Sequence, residues 1–171
     1  MTPISEWPFA DRVYHHLTGN GALTPARAIA RYRFLAENLE PAIPLEAARW
    51  GDANAEDAYS LRDWQAERDR LVLYYFPRRT AIVFQQFIRH ELYPRFPPPS
   101  MLALEEPGHL WLEVEEGEVW FTTDGSDPRK PGGAINPQAE SGNEALIRPG
   151  QELKARCFLN GAWSALASIS L

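Results

Sequence analysis

The sequence contains a single cysteine, Cys157, which excludes an internal disulfide. It has no run of about 20 apolar residues, so it does not predict a membrane-spanning helix. The first residues carry neither the basic nor the apolar region of a secretory signal peptide. From the residues alone, we expect a chain that stays in the cytoplasm and does not insert into a membrane.

Lysine is absent from the first 100 residues, where 12 arginines balance 12 acidic residues. Residues 101–171 hold 5 basic and 11 acidic residues, so the whole net charge of −6 lies in that part. An acidic surface repels phosphate groups, and we therefore expect no nucleic acid or anionic membrane to bind there. The apolar content of 44% is ordinary for a chain with a buried core.

Residues spaced for catalysis or metal binding are also missing. No segment matches a Gly-rich phosphate loop, a catalytic-loop acid with its following Asn, or a strand lysine of a kinase. His15 and His16 are adjacent, so on a helix their side chains point about 100° apart and cannot chelate one ion. We predict no catalytic residue, no metal site and no cofactor.

Helical periodicity dominates residues 1–95. Thr24-Pro25 is a typical helix start, and Ser60 with Asp63 resembles a capping box. Phe76-Pro77 is expected to interrupt a helix, because proline has no N–H to donate. The predicted helices cover 6–17, 25–40, 42–49, 61–75 and 78–92.

A change of pattern follows the prolines of residues 97–99, and a stiff linker is predicted over 96–100. Beyond it, apolar and polar residues alternate with the period of half-buried strands. Asn160-Gly161 is a strong hairpin signal. We predict an α+β protein: an α-helical segment over 1–95 and a small Ig/fibronectin-like antiparallel β-sandwich over 101–171. Its predicted strands cover 110–114, 119–123, 145–148, 152–159 and 163–171.

One stretch, Val119 to Pro128, reads as a strand that runs into a sharp turn. Together with Leu153-Lys154-Ala155-Arg156 and Gly161-Ala162-Trp163-Ser164, it resembles the C-terminal β-sandwich domain of chitobiases and β-hexosaminidases. That family has a strand ending in Tyr-Thr-x-Asp-Gly-Ser-x-Pro, and Trp120-Phe121 stands here where the family usually has tyrosines. The resemblance covers about residues 100 to 171.

The helical half resembles the C-terminal end of CotH-type kinase-like domains. The resemblance is carried by Ala10-Asp11-Arg12-Val13, Gly21-Ala22-Leu23-Thr24, Ala48-Arg49-Trp50-Gly51-Asp52 and Tyr75-Phe76-Pro77-Arg78-Arg79-Thr80. In large bacterial envelope proteins such domains often precede sandwich modules, so the resemblance implies a place in the cell envelope or outside the cell. It also implies that the phosphotransfer residues lie upstream of the matching segments, in a kinase-like lobe that is the expected partner.

The function expected from this resemblance is a non-catalytic accessory region of an envelope protein, in which the sandwich is a spacer, anchor or binding module. Bulky residues in short helices would leave apolar faces uncovered, and this favours docking on something larger. Two alternatives are part of an ATP-dependent protein kinase and a carbohydrate-binding module. The bulky residues are Trp7, Tyr14, Trp50, Phe76 and Phe87.

Trp111 and Trp120 are the candidate glycan-stacking residues, with Glu113 and Glu118 beside them. They alternate with apolar residues, so both are expected on a face opposite the core, where indole rings could stack on sugar rings. The alternative is that one or both tryptophans pack under the helical domain or a neighbouring strand. The acidic run around them predicts a solvated surface rather than a hydrolase.

Two further groups of residues carry hypotheses. The turn Asp124-Gly125-Ser126-Asp127 could hold Ca²⁺, but it lacks a full set of oxygen ligands, so a structural turn is the favoured interpretation. Arg49 and Asp52 flank Trp50-Gly51 and are predicted to form a buried ion pair that stabilises the bend. Cys157 is predicted to be a small core residue.

Overall fold

A computed structural model describes residues 7–53 and 58–171, and it has an α+β fold. The side chains of Trp7 and Pro8 lie outside the described part. The helices are α1 (Trp7–Leu17), α2 (Pro25–Leu39), α3 (Ile43–Trp50), α4 (Leu61–Arg70) and α5 (Phe76–Arg89). The strands are β1 (Ser100–Ala103), β2 (His109–Glu113), β3 (Glu118–Thr122), β4 (Glu140–Ser141), β5 (Glu144–Leu146), β6 (Glu152–Leu159), β7 (Ala162–Trp163) and β8 (Ala167–Ser170).

The helix opened at Ser60 is not interrupted at Phe76-Pro77. A π-helical turn over Leu71–Tyr75 joins α4 directly to α5, and the Phe76 amide donates to the carbonyl of Leu71. This wider turn lies just before the proline, and it accommodates a residue that has no N–H and whose ring would clash in a regular α-helix. The predicted break was therefore wrong.

The described residues divide into two compact units, and the division falls within α1 and within α5. Of the described residues, the helical unit comprises 15–53 and 58–86, and the sandwich unit comprises 7–14 and 87–171. In the helical unit, Gln65 and Arg68 both donate to the Glu40 carboxylate, at 2.6 and 3.1 Å. The capping box forms as predicted, with the Ser60 amide 2.9 Å from the Asp63 carboxylate.

Two antiparallel sheets build the sandwich. One has the order β1-β2-β5; the other has the order β4-β3-β6-β7, with β8 also paired to β6. Both sheets contribute to one core, so the predicted α+β fold with an antiparallel β-sandwich is confirmed. The core residues are Leu110, Leu112, Val119, Phe121, Ala145, Ile147, Leu153 and Ala155.

The strand predicted over 163–171 is divided into β7 and β8. Between them, the Leu166 amide donates to the Asp11 carboxylate and the Ser164 carbonyl accepts from Arg156. These backbone groups bond to side chains instead of a neighbouring strand, so the ladder stops there. The β6–β7 hairpin turns at Asn160-Gly161 as predicted, with φ values of 50° and 80°.

The proline segment is packed rather than open. Pro98 and Pro99 are buried, as is Tyr93 before them. Strand β1 begins at Ser100, immediately after the last proline. The segment therefore belongs to the sandwich unit and does not lie free as a spacer.

Candidate functional site

The structure separates the two candidate tryptophans. Trp111 lies on β2 of the three-stranded sheet and Trp120 on β3 of the five-stranded sheet. Their neighbours along each strand point into the shared core, so each indole faces outward from its own sheet. The two rings lie on opposite outer faces of the sandwich and cannot stack on one ligand together.

Trp111 occupies the centre of the outer face of the three-stranded sheet. Its partner on β1 is Leu102 and its partner on β5 is Glu144. Two residues before Trp111 on the same strand, His109 pairs with Leu146, and the His109 carbonyl accepts a hydrogen bond from the Leu104 amide. We call this surface the Trp111 face; it comprises Leu102, Leu104, His109, Trp111, Glu113, Glu144 and Leu146.

Acidic side chains surround His109 on the Trp111 face. Its Nδ1 lies 3.3 Å from Glu144 Oε1 and its Nε2 lies 3.4 Å from Glu106 Oε2. Glu113 is exposed on the same strand, two residues beyond Trp111. The Trp111 face therefore combines an exposed indole and leucines with a rim of carboxylates.

The environment of Trp120 is different. Its register partner on β6 is Arg156, whose side chain is completely buried on the same outer face. Trp120 is half-buried, and its Nε1 lies 3.3 Å from the Glu118 carboxylate. This part of the five-stranded sheet is thus partly covered, which matches the packing alternative for Trp120 better than an open platform.

Arg156 is the centre of a buried ionic cluster. Its five N–H groups, which are all that a guanidinium has, each make a hydrogen bond of 2.7 to 2.9 Å. Two go to Asp11 on α1, two to Asp127 in the turn after β3, and one to the Ser164 carbonyl. Burial alone would lower the pKa of Arg156, but its bonds to the two carboxylates outweigh burial and raise it.

The turn after β3 is organised by its own carboxylates. Asp124 Oδ1 accepts from the Ser126 amide and Asp127 Oδ1 from the Arg129 amide, both at 2.9 Å. Burial raises the pKa of Asp127, whereas hydrogen bonds and the charge of Arg156 lower it more, so it lies below the ordinary value. Both Asp127 oxygens are engaged by Arg156, which leaves this carboxylate poorly placed to ligate Ca²⁺.

The predicted buried ion pair of Arg49 and Asp52 is not present. Both side chains are exposed in the described part of the chain, and no ion pair joins them. The Arg49 guanidinium instead lies 4.9 Å from the centre of the exposed Trp50 ring. Gly51 is buried at the bend, where an added Cβ would lie 2.4 Å from the Ala47 carbonyl, so close backbone packing shapes the bend.

A cavity of about 410 Å³ lies within the sandwich unit, beside the β6–β7 hairpin. Its wall is mainly apolar and includes Tyr93, Phe96 and Trp163. Trp163 is held in place because its Nε1 donates to the Gly133 carbonyl at 2.7 Å. Burial strongly raises the pKa of Tyr93, which keeps its hydroxyl neutral. The polar groups at the wall are Glu91, Arg95 and Asn160.

The helical unit exposes many large apolar side chains. Leu45 is 76% exposed and Phe34 is 65% exposed. Helix α2 is largely uncovered, because only Ala36 of that helix is buried. More than half of the surface is also exposed for Leu23, Leu35, Leu39, Trp50, Tyr59, Leu73 and Tyr74.

Sequence reasoning missed the Arg156 cluster, although it singled out each of its segments. Asp11 and Arg156 are 145 positions apart, and no local spacing links them. The only signal in the sequence was an arginine in the middle of a predicted strand, next to the predicted core residue Cys157. Cys157, predicted as a core residue, is buried beside it, and burial raises the pKa of its thiol.

No known protein family, curated protein or solved structure matches this chain. In the described residues, no helix is long and apolar enough to span a bilayer. The same part of the chain holds no cluster of three or more His, Cys, Asp or Glu side chains suited to a metal ion.

Proposed function

We propose that this chain is the non-catalytic accessory region of a CotH-kinase-like protein of the bacterial cell envelope. The helical unit packs against a larger kinase-like lobe, and the sandwich serves as spacer, anchor or binding module. The order of the two sequence resemblances supports this proposal, since helical segments of the kinase-like type precede a chitobiase-like sandwich. The family assignment rests on those residues alone.

The observation that carries the proposal is the exposed apolar surface of the helical unit. Soluble monomers rarely expose contiguous apolar patches larger than a few hundred Å². Here, nine large apolar side chains between Leu23 and Tyr74 are each more than half exposed. Covering them would contribute roughly 25 cal/mol for each Å² removed from water. A folded neighbour of substantial size is the occupant that this surface fits.

The mass of the native polypeptide tests the proposal directly. An antibody raised against this chain should detect a band far above 19.4 kDa in the source cells. The recombinant chain run beside it supplies the reference mobility. A native band at the reference position would overturn the proposal that a kinase-like lobe continues the same polypeptide.

The alternative function is that the chain is part of an ATP-dependent protein kinase. The two proposals differ in the response to nucleotide that they predict. If the native protein is longer and catalytically active, ATP with Mg²⁺ should raise the melting temperature of the longer protein and leave this chain unchanged. A longer protein that neither binds ATP nor transfers phosphate would favour the purely accessory role.

A further inference from the structure

The Trp111 face has an exposed apolar side chain on each of its three strands. Trp111 itself is 42% exposed at the centre of three strands. Leu102 and Leu146, each about half exposed, lie on the two neighbouring strands. With strands about 4.8 Å apart, the face is about 10 Å wide, which is enough to support a chain of sugar rings.

The polar groups of this face lie at its edge and beside the indole. Glu144 is the direct cross-strand neighbour of Trp111, and His109 bridges Glu144 and Glu106 at 3.3 and 3.4 Å. A pyranose presents an apolar C–H face and a rim of hydroxyls, so it can stack on the indole while its hydroxyls bond to carboxylates. The centres of protein–protein interfaces are depleted in glutamate, so a protein partner fits this arrangement less well.

The charge of the surface selects among glycans. Glu113 and Glu144 are exposed on the Trp111 face and Glu106 is exposed beside His109. All three belong to the part of the chain that carries the net charge of −6. A uronic-acid or sulfated glycan would be repelled by these groups. A neutral sugar would be tolerated and a sugar with free amino groups would be attracted.

We propose that the Trp111 face alone, without Trp120, binds a neutral or amino-bearing pyranose oligosaccharide. This site goes beyond the accessory role proposed above, and it does not depend on what covers the helical unit. Trp111 supplies the stacking surface. Glu144 accepts hydrogen bonds from hydroxyl or ammonium groups of the same sugar.

Calorimetric titration of the whole chain with three trisaccharides tests this proposal. The probes are tri-N-acetylchitotriose, which is neutral, its deacetylated form, which is cationic, and trigalacturonate, which is anionic. We expect saturable binding of the first two and none of the third. Trp111→Ala should weaken binding about tenfold or more. Trp120→Phe, on the opposite face, should leave the affinity unchanged.

Glu144→Gln provides a second variant that keeps the indole in place. This substitution should weaken the binding of the cationic trisaccharide more than that of the neutral one, because it removes a negative charge and keeps an acceptor oxygen. The melting temperature of each variant shows that it is folded. The proposal is overturned if neither sugar binds at millimolar concentration, if Trp120→Phe and not Trp111→Ala abolishes binding, or if trigalacturonate binds equally well. Self-association that Trp111→Ala removes, without sugar binding, would make this face an interface between copies.

Discussion

Arg156 is a cation that is held entirely out of water, and all of its donors are satisfied. Removing a charge from water costs several kcal/mol, which only close, well-aligned partners offset. Asp11 and Asp127 provide those partners and are themselves only partly exposed. Removing one partner of the cluster should therefore lower the free energy of unfolding strongly, because it leaves a buried charge unpaired.

Replacing Arg156 by Met should destabilise the sandwich unit by about 3–5 kcal/mol, because two carboxylates would then face each other without their cation. Denaturant unfolding measures this loss. Arg148→Met, at an exposed position, is the matched control and should change stability by less than about 0.5 kcal/mol.

A triple variant with Asp11→Asn and Asp127→Asn added to Arg156→Met separates charge from packing. It should recover part of the lost stability, because no uncompensated charge remains. Equal stability of the single and triple variants would contradict the ionic explanation.

The stability of the sandwich unit should also depend on pH through Asp127. Since the folded pKa of this carboxyl lies below its ordinary value, its contribution is fully present above the unfolded pKa of about 3.9. That contribution is lost as the pH falls through the folded pKa. Urea unfolding between about pH 6 and pH 2 should show the loss, and Asp127→Asn should flatten the slope. An unchanged slope in this variant would show that other carboxyls cause it.

At the scale of elements, α1 is tied to the end of the sandwich by Asp11. One carboxylate binds Arg156 on β6 and the Leu166 amide between β7 and β8. These contacts explain why the last predicted strand is divided in two. A short amphipathic helix is thereby held by charge-assisted bonds as well as by its buried Ala10 and Val13.

Two glycines with the same φ angle allow a matched comparison of turns. Gly108, before β2, and Gly150, before β6, both have φ of +83°. A Cβ on Gly108 would lie 2.3 Å from the Ile147 carbonyl, whereas one on Gly150 would meet nothing within 4 Å. Gly150→Ala should cost about 1 kcal/mol from strain alone, and Gly108→Ala should cost clearly more, because backbone must also move.

Thermal unfolding of the two alanine variants checks this difference. The Ile147 amide donates to the Gly108 carbonyl, so the same movement would weaken that bond. Equal losses at the two positions would mean that the sandwich relaxes around the added methyl group at no cost.

At the scale of the whole molecule, the two units differ in how much they bury. The sandwich unit has a continuous core formed by both sheets. In the helical unit, the buried apolar side chains of the described residues are Leu17, Ala36 and Val72. Such a helical unit gains little of its stability from its own packing, and a covering neighbour would supply the rest.

Lysine substitutions distinguish the exposed apolar surface from the small internal core. Leu45→Lys should change the stability of the isolated chain by less than about 0.5 kcal/mol. Val72→Lys should cost several kcal/mol, because it buries an ammonium group. If the native protein is longer, as proposed, and a lobe covers Leu45, then Leu45→Lys should become destabilising there. Urea unfolding of both proteins makes the comparison, and no added cost in the longer protein would show that Leu45 stays uncovered there.

Local patterns were sufficient for most elements. The period-two alternation located β2, β3 and β6, and Asn160-Gly161 located the β6–β7 hairpin. The break predicted at Phe76-Pro77 was wrong, because the π-helical turn just before the proline lets the helix continue through it. The prediction for Arg49 and Asp52 was wrong as well. The two opposite charges are close in the sequence, but both side chains are exposed to water, so neither charge needs an ion-pair partner.

The sequence by itself determined the helical first half, the positions of β2, β3, β5 and β6, the hairpin turn at Asn160-Gly161 and the concentration of negative charge after residue 100, because these depend on neighbours along the chain. It did not predict β1 or the two-residue β4. Only the tertiary structure decided that Trp111 and Trp120 lie on opposite faces, since sheet membership depends on pairing between distant strands. It also decided that Asp11 and Asp127 meet on Arg156. A buried charge needs oppositely charged partners, and the fold supplies them from segments that are distant in the sequence. Such partners therefore have no fixed spacing along the chain.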